Sequence, residues 1–362
     1  MIKAMDLWLP GYMARKRIPP SVEGQTHIML AICDHFEPYH QADGSQKEAL
    51  RRLDCWQTEF PKIQEGLLDT DGRLPRHTFF FPVEQYDREV VSRLAELCQA
   101  GAGEVEIHLH HEGDTPDSLK NQLEKGRDQL ASHGLLGISS VGNPVYGFIH
   151  GNWALCNSHP EGRACGVDNE LSVLKDTGCY ADFTMPSAPD PCQSRKVNSI
   201  YYSRDIGTPR AHDLGEDVRV GGRTPEDSLL LVQGPLGFNW YRRKAGILPR
   251  LENADLTGAN PPTFDRFRLW KKARIHVSGR PDWIFIKLHT HGCKPSNMNM
   301  LLSETMRHFY QSLATSCSGN SVPSIHFVTA REMANIIHAA EAGEKGVPGQ
   351  FRDYRYRAPV IS

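Results

Sequence analysis

A chain of 362 residues with 39% hydrophobic and 23% charged residues is long enough to bury a large core, as one large domain or two ordinary ones. Its net charge of −2 argues against a nucleic-acid-binding surface and indicates no basic face for an anionic membrane. The nine cysteines are scattered and never form a CxxC pair, so we expect neither a disulfide framework nor a thiolate zinc site.

Residues 1–25 are predicted to form an N-terminal extension. They lack the apolar core and the cleavage site of a secretory signal, because Lys3 and Asp6 already interrupt the apolar residues. No stretch of the chain approaches an apolar span of ~20 residues either. We therefore expect a cytoplasmic protein without a membrane span, and the sequence leaves its oligomeric state open.

From residue 26 onward, apolar runs typical of strands alternate with segments of helical periodicity. Strands are predicted at 27–33, 76–83, 104–110, 145–149, 180–185, 199–203, 228–233, 283–288 and 324–328. Helices are predicted at about 46–64, 87–100, 118–132, 170–175 and 296–314, and from 329 onward. A segment at about 204–282 is predicted to be an irregular insertion in a single domain, 26–345, and 346–362 to be a C-terminal tail. Strand–helix units without a linker favour a parallel sheet, either open or closed into a barrel.

Polar side chains cluster where four of these strands end. The clusters occupy 34–37, 108–114, 150–153 and 289–291. Ligands of parallel α/β proteins bind at the carboxyl ends of the strands, so a chance scatter of His and Asp would not select these positions. Histidine and carboxylate side chains that converge in this way are potential metal ligands, and they suit Zn²⁺, or Fe²⁺, Co²⁺ or Ni²⁺.

Three of these motifs resemble those of the polysaccharide deacetylase superfamily (carbohydrate esterase family 4). Asp34-His35 ends the first strand where the family has Asp-Asp. His110 and Asp114 follow Glu106-Ile107, where the family has Glu-Ile and then His-x-x-x-His. Leu288-His289 matches the family's last motif, and Phe327-Val328-Thr329-Ala330-Arg331-Glu332 is similar to its closing strand and helix. The resemblance spans roughly 26–333.

The resemblance implies a distorted (β/α)7 barrel that holds one divalent metal, most simply zinc, through His35, His110 and Asp114. It also implies that Asp34 is the catalytic base and His289 the catalytic acid. The implied reaction removes an acetyl or similar acyl group from an amino sugar, a polysaccharide or a glycan precursor, by attack of a metal-activated water.

This chain departs from the family at the third motif, Arg-x-Pro-Tyr, which is absent. His150, Asn152 and Trp153 stand at that strand end, and we expect them, with His291, to contact the substrate. The imidazole of His150 or the amide of Asn152 would then replace the missing arginine. A glycoside hydrolase on a similar barrel and a catalytically silent carbohydrate-binding relative are the alternative functions.

The sequence leaves several assignments of metal ligands and of the catalytic acid open. Neighbouring residues on a strand face opposite ways, so Glu37 or Asp34 is an alternative metal ligand to His35. His108 is predicted to support a ligand rather than to be one, and His111 is an alternative to Asp114. His291 could replace His289 as the acid. Five further histidines without nearby companions are predicted to be structural or exposed: His40, His77, His133, His159 and His326.

Overall fold

Most strands of the protein belong to one large sheet. The structure, a computed structural model, describes residues 3–15, 25–316 and 323–360, and of Ser316 only the backbone. Residues 1–2 and 16–24 of the predicted N-terminal extension, and 361–362 of the predicted tail, lie outside the described residues. The strands are β1 His27–His35, β2 His77–Pro82, β3 Gly103–Leu109, β4 Gly137–Ile138, β5 Pro144–His150, β6 Cys179–Asp182, β7 Ile200–Ser203, β8 Glu216–Asp217, β9 Leu229–Val232, β10 Gly237–Lys244, β11 Leu248–Glu252, β12 Asp255–Leu256, β13 Trp283–Thr290 and β14 Ser324–Phe327.

The helices lie between these strands, as the alternating sequence pattern predicts. They are α1 Met5–Ala14, α2 Gln46–Gln64, α3 Arg88–Gln99, α4 Pro116–Ala131, α5 Glu170–Asp176, α6 Phe264–Ala273, α7 Pro295–Leu301, α8 Glu304–Ser316 and α9 Ala330–Ala342. The predicted helix at 296–314 is two helices, because the Ser303 side chain accepts a hydrogen bond from the Thr305 backbone N–H and starts α8 anew. Among the described residues, no helix has both the length and the apolar character needed to cross a membrane.

The sheet has the order β12-β13-β1-β2-β3-β5-β6-β9-β7-β8, and it is parallel from β12 to β9. β14 pairs with the first half of β1 and β2 with its end. The register aligns Cys33 with His289, and Leu109 with His150. The polar residues after these strands therefore meet at one edge of the sheet, as predicted.

The predicted α/β class is confirmed by this arrangement of helices on a large, mainly parallel sheet. The described strands do not form a hydrogen-bonded ring, since β8 and β12 end the order without pairing to each other. The segment at about 204–282, expected to be irregular, instead contains five strands and α6. Of these strands, β10 and β11 form a separate antiparallel hairpin.

Alternate residues of the strands pack into two cores. Leu30 and Ile32 of β1 face α2, α3, α4 and α8 on the outer face of the sheet. Met29, Ala31 and Cys33 face α9 on the inner face, and α9 is buried along nearly its whole length. His35 has the inner parity of Cys33, so β1 delivers its imidazole to the inner face just beyond the apolar core.

Candidate metal centre

Four side chains from β1, β3 and the loops after them converge on the inner face. They are His35, Glu37, His108 and His110. Glu37 Oε1 lies 3.3 Å from His108 Nε2 and 3.5 Å from His110 Nε2. The rings of His35 and His108 are 4.7 Å apart, and those of His108 and His110 are 4.6 Å apart. Three of these residues, His35, Glu37 and His108, are buried.

The hydrogen bonds of His108, in β3, and of His110, just after it, fix a proton on Nδ1 of each ring. His108 Nδ1 lies 3.1 Å from the carbonyl oxygen of Ile149, and His110 Nδ1 lies 2.6 Å from Glu84 Oε1. Both partners can only accept, so both Nδ1 atoms must donate. Each Nε2 atom in turn faces the same carboxylate oxygen of Glu37, to which it donates when protonated and beside which it can bind a cation when neutral. Metal-binding histidines have this arrangement, with the other ring nitrogen donating to a carbonyl or carboxylate.

The spacing of these atoms fits a small divalent ion. Ligands about 2.0–2.1 Å from a tetrahedral zinc ion are about 3.3 Å from one another. The distances from Glu37 Oε1 to His108 and His110 agree with this edge length. Nitrogen and carboxylate atoms of His35, Glu37 and His108 also lie within 4.8 Å of one another. These buried groups could hold a metal ion.

His35 gives a second, independent indication. Its two ring nitrogens are buried, and neither has a hydrogen-bond partner in the described part of the chain. A buried polar atom without a partner costs about 1–3 kcal/mol, which a metal–nitrogen bond would offset. Burial, with the neighbouring imidazoles of His291 and His108, holds the pKa of His35 well below its usual range. His35 is therefore neutral and keeps a lone pair for a metal.

The charges of the Glu37 carboxylate and of the His110 imidazole depend on each other. Burial lowers the pKa of His110, but hydrogen bonds with Glu37 and Glu84 outweigh it and raise the pKa to about 9. Burial raises the pKa of Glu37, yet hydrogen bonds with His108 and His110 bring it well below its usual range. Without a metal, an imidazolium at His110 would lie between the two carboxylates. A divalent cation would take the place of its Nε2 proton.

Three aromatic groups adjoin His35 on the side away from β3. His291, half-buried, stacks on His35 with ring centroids 4.5 Å apart, and Trp153 lies 4.6 Å from His35. His289 lies 5.4 Å from Trp153, and its buried Nδ1 has no hydrogen-bond partner among the described residues. Trp153 adopts a left-handed φ of 63°, a strained conformation that such residues mostly keep at functional sites. Trp153, His289 and His291 therefore lie beside His35, one of the candidate metal ligands.

Asp114 is not brought together with His35 and His110. Its Oδ2 lies 3.1 Å from His111 Nδ1, and its Oδ1 accepts from Ser118 and Gln122 at the start of α4. His111 Nε2 in turn lies 3.3 Å from Glu170 Oε1. Asp114 thus belongs to a neighbouring buried group, and Glu37 occupies the carboxylate position beside the histidines.

That neighbouring group contains His111, His150, Cys165 and Glu170, which could also hold a metal ion. Most of its polar atoms are hydrogen-bonded, but the buried His150 Nε2 has no hydrogen-bond partner among the described residues and lies 3.8 Å from Glu170 Oε1. The backbone N–H of Asn152 donates to His150 Nδ1 at 3.1 Å, so the proton of this neutral ring sits on Nε2 and no lone pair is free there. Burial lowers the pKa of His111, but Glu170 and Asp114 outweigh it and raise the pKa. An imidazolium paired with two carboxylates results.

Asp34 lies on the other face of β1 from His35. Its Oδ2 accepts from His77 Nε2 at 2.8 Å, and its Oδ1 accepts from the backbone N–H of Gly292 at 2.5 Å. The residue is completely buried. Both carboxylate oxygens are therefore engaged away from the four-residue cluster, and Asp34 holds the loop after β13 in place.

The predicted substrate contacts divide between the two groups. Trp153 and His291 border the cluster of His35, whereas His150 faces His111, with ring centroids 4.5 Å apart. Asn152 is half-buried, and its side-chain amide reaches the His111 carbonyl oxygen at 3.5 Å. The side chains of His150 and Asn152 therefore stabilise the second group.

Sequence analysis missed three supporting residues. Glu84 lies two residues beyond β2 and orients His110, His40 Nδ1 lies 3.3 Å from Glu37 Oε2, and His77 holds Asp34. Glu84 could have been found from its position just after the predicted second strand, because the other polar clusters also follow strand ends at that edge of the sheet. His77 opens β2, and only the register, in which the start of β2 pairs with the end of β1, brings it to Asp34, so nothing local in the sequence pairs the two residues.

A scan against protein-family models matches no family, and a search of the curated proteins finds no relative of this chain. The relationship to the polysaccharide deacetylases therefore stays a prediction from the motifs.

Proposed function

We propose that this protein is a metal-dependent hydrolase that removes an acetyl or similar acyl group from an amino sugar or a glycan. One observation carries the proposal: the Nε2 atoms of His108 and His110 face the same oxygen of Glu37. Beside them lies the buried His35, whose ring nitrogens have no hydrogen-bond partner among the described residues. Zinc is the metal that this three-histidine, one-carboxylate donor set suits best, with Co²⁺, Ni²⁺ or Fe²⁺ as alternatives.

The proposed barrel is supported by contacts between distant parts of the sheet order. Lys287 of β13 donates from Nζ to the carbonyl of Met185, just beyond β6, at 2.9 Å. The backbone N–H of Gly234, just beyond β9, donates to the same carbonyl at 3.0 Å. In the sheet order, β13 is five places from β6 and six places from β9. The ends of these strands thus approach one another across the inner face. This strong curvature is what a distorted (β/α)7 barrel requires.

In the proposed reaction the chain holds the metal, orients the acyl group and moves one proton. His35, Glu37, His108 and His110 would hold the metal. When bound, it would lower the pKa of a water and polarise the acyl carbonyl. Trp153 offers a flat apolar surface beside these residues, on which a sugar ring can stack. The same indole limits the access of bulk water.

Proton transfer is assigned to His289, with His291 as its neighbour. Burial keeps the pKa of His289 well below its usual range, and burial lowers the pKa of His291 to about 3. Both rings are therefore neutral near neutral pH, and the buried His289 Nδ1 has no hydrogen-bond partner among the described residues. We assign to His289 Nδ1 the proton of the attacking water, which it then returns to the leaving amine nitrogen. Asp34 was expected to be the base, but its two carboxylate oxygens accept hydrogen bonds from His77 and Gly292. We assign to Asp34 the role of anchoring the loop that carries His291.

A glycoside hydrolase is less well supported. That chemistry needs two carboxylates free to face the sugar across the scissile bond. Glu37 and Glu84 both contact the imidazole of His110, one on each ring nitrogen, and are therefore engaged in holding it.

The test is acetate release from an N-acetylated amino-sugar oligomer by the purified protein, before and after chelation and after reloading with Zn²⁺. The proposal expects release that chelation abolishes and zinc restores. The Glu37→Gln variant should stay inactive after reloading. Release that persists in protein shown to be metal-free would refute it, and so would cleavage of the glycosidic bond in place of the amide.

A further inference from the structure

The β10–β11 hairpin exposes large apolar side chains. Trp240 and Tyr241 are 55% and 56% exposed, and Ile247 and Leu248 beside the turn are 75% and 64% exposed. Single exposed apolar residues are ordinary on protein surfaces, whereas four in one hairpin are unusual and indicate a binding surface.

The same hairpin is basic. Residues 237–251 contain four cations and no carboxylate: Arg242, Arg243, Lys244 and Arg250. None of the four forms an ion pair with a carboxylate in the described part of the chain, although Arg242 donates to the Asn260 side chain at 3.0 Å. The net charge of −2 for the whole chain conceals the local charge of +3 of the hairpin, Gly237–Glu252, in which the one carboxylate, Glu252, is buried. The expectation that the protein has no basic face for a membrane is therefore wrong for this hairpin.

The hairpin is built to present these groups. Asn239 is buried, and its Oδ1 accepts the backbone N–H groups of Tyr241 at 3.1 Å and Arg242 at 3.0 Å. These bonds hold a bulge at which the strand register jumps from Asn239 to Arg243, so that Trp240 and Tyr241 project outward.

Helix α1 supports the hairpin at its base. Phe238 packs against Trp8 and Tyr12 of α1, with ring centroids 5.3 Å and 5.6 Å apart. Met5, Leu9, Pro10 and Met13 of the same helix line an apolar depression, with Asp6 at its edge. Met13 is 68% exposed. The apolar surface of α1 therefore adjoins the base of the hairpin.

We propose that the β10–β11 hairpin docks on the surface of an anionic lipid bilayer. Ile247 and Leu248 enter the interface, Trp240 and Tyr241 lie at the level of the headgroups, and the four cations bind lipid phosphates. This docking is independent of the hydrolase activity proposed above, because the hairpin contributes no residue to the metal centre.

Two other occupants fit the hairpin less well. A polyanionic glycan or nucleic acid would use the cations and aromatic rings but would leave the aliphatic tip exposed to water. A second copy docked through the same hairpin would bring two sets of four cations together without a carboxylate to neutralise them. Only an anionic bilayer matches the cations, the aromatic rings and the aliphatic tip together.

The test is co-sedimentation of the full chain with two kinds of vesicle, phosphatidylcholine alone and equal parts of phosphatidylcholine and phosphatidylglycerol. Binding should require the anionic lipid and should weaken as salt is added. The triple variant Arg242→Gln/Arg243→Gln/Lys244→Gln should bind on the order of 100-fold more weakly. The double variant Ile247→Ser/Leu248→Ser should lose binding as well, since the tip can no longer enter the interface.

Matched controls change the same residue types elsewhere on the surface. Lys47→Gln/Lys120→Gln/Lys125→Gln removes three exposed charges, and Val141→Ser/Leu214→Ser removes two exposed apolar side chains. Both controls should bind like the unchanged protein. Trp240 emission should shift to the blue and be quenched by brominated lipid, and this change should be absent in Trp240→Phe.

Four outcomes would overturn the proposal. They are the absence of binding to anionic vesicles, an equal loss of binding in the control variants, an unchanged Trp240 emission on vesicle binding, and a loss of self-association in the hairpin variants without any vesicle binding. Binding to a soluble polyanion that survives Ile247→Ser/Leu248→Ser, with none to vesicles, would assign the hairpin to a polyanion instead.

Discussion

Asp34 accepts a hydrogen bond from the backbone N–H of Gly292 at 2.5 Å, so a residue of β1 holds the loop that follows β13. The other carboxylate oxygen accepts from His77, and the indole N–H of Trp56 donates to the Gly292 carbonyl at 3.4 Å. The loop held in this way carries His291, which stacks on His35. A residue on the outer face of the sheet thereby sets the position of a ring on the inner face.

The first prediction separates this anchoring role from general base catalysis. Asp34→Asn and Gly292→Ala should each lower kcat/KM by about 10²-fold, because either change displaces His291. A Cβ at Gly292 would collide with the Asp34 carboxyl group. The shape of the pH–rate profile should stay unchanged in both variants. A loss confined to Asp34→Asn, with the acidic limb of the profile removed, would instead identify Asp34 as the base.

The second prediction concerns Gly151, which gives the His110 ring its space. A Cβ at residue 151 would lie 2.5–2.8 Å from three ring atoms of His110. Gly151→Ala should therefore displace the ring and weaken zinc binding by about 10–100-fold. Gly113→Ala is the matched control, because Gly113 has a φ of 67° but a Cβ there would meet no neighbouring atom within 4 Å. Zinc affinity should be measured by competition with a chelator, and equal losses in both variants would contradict the steric argument.

The third prediction is a release of protons when the metal binds. Because the pKa of His110 is about 9, its Nε2 carries a proton at neutral pH that a metal must displace. The loss of this one proton from His110 should therefore make zinc affinity rise by about tenfold for each pH unit up to pH 9. Above pH 9 the contribution of His110 should be constant. Titration calorimetry in buffers of different ionisation enthalpy measures the proton count.

Glu84→Gln provides the control for this proton count. Removing the Glu84 charge lowers the pKa of His110, so proton release at neutral pH should fall. Zinc should also bind about 10–100-fold more weakly, because the ring loses its orienting carboxylate. Binding without proton release from the unchanged protein at neutral pH would show that His110 is not a ligand.

The fourth prediction tests the proton transfer assigned to His289. His289→Ala should lower kcat on an acetamide by about 10²–10⁴-fold. An activated aryl acetate should lose much less, since its leaving group hardly needs a proton. Equal losses on both substrates would mean that His289 positions the substrate or the metal. The same comparison on His291→Ala would then examine the neighbouring ring as the proton carrier.

The sequence predicted the edge of the sheet that carries the polar clusters, because parallel strands of alternating pattern align their carboxyl ends. It placed His35 and His110 together for that reason. It assigned Asp114 as their partner, because the family resemblance places the second histidine of the His-x-x-x-His motif at this position. The turn at Gly113, with a positive φ, directs Asp114 toward His111 and the start of α4 instead.

Glu37 and His108 could not be assigned firmly from the sequence. Which residue of His35, Phe36 and Glu37 faces inward depends on where β1 ends, and a shift of one residue exchanges the faces. His108 was expected to support a ligand because it lies one pleat deeper than His110. The curvature of the sheet brings the two rings to 4.6 Å, so the deeper residue reaches the same carboxylate. Curvature of this kind depends on long-range packing that a local pattern does not contain.

The most direct test of the central claim is the zinc content of four purified proteins after loading and desalting: the unchanged chain, His108→Ala, Glu37→Gln and Asp114→Asn. The structure predicts about one equivalent in the unchanged chain and in Asp114→Asn, and a loss of the metal from His108→Ala and Glu37→Gln. Circular dichroism of each variant shows whether it has kept its fold. Zinc retained by folded His108→Ala and Glu37→Gln but lost from folded Asp114→Asn would contradict the site and would restore the ligand set implied by the family resemblance.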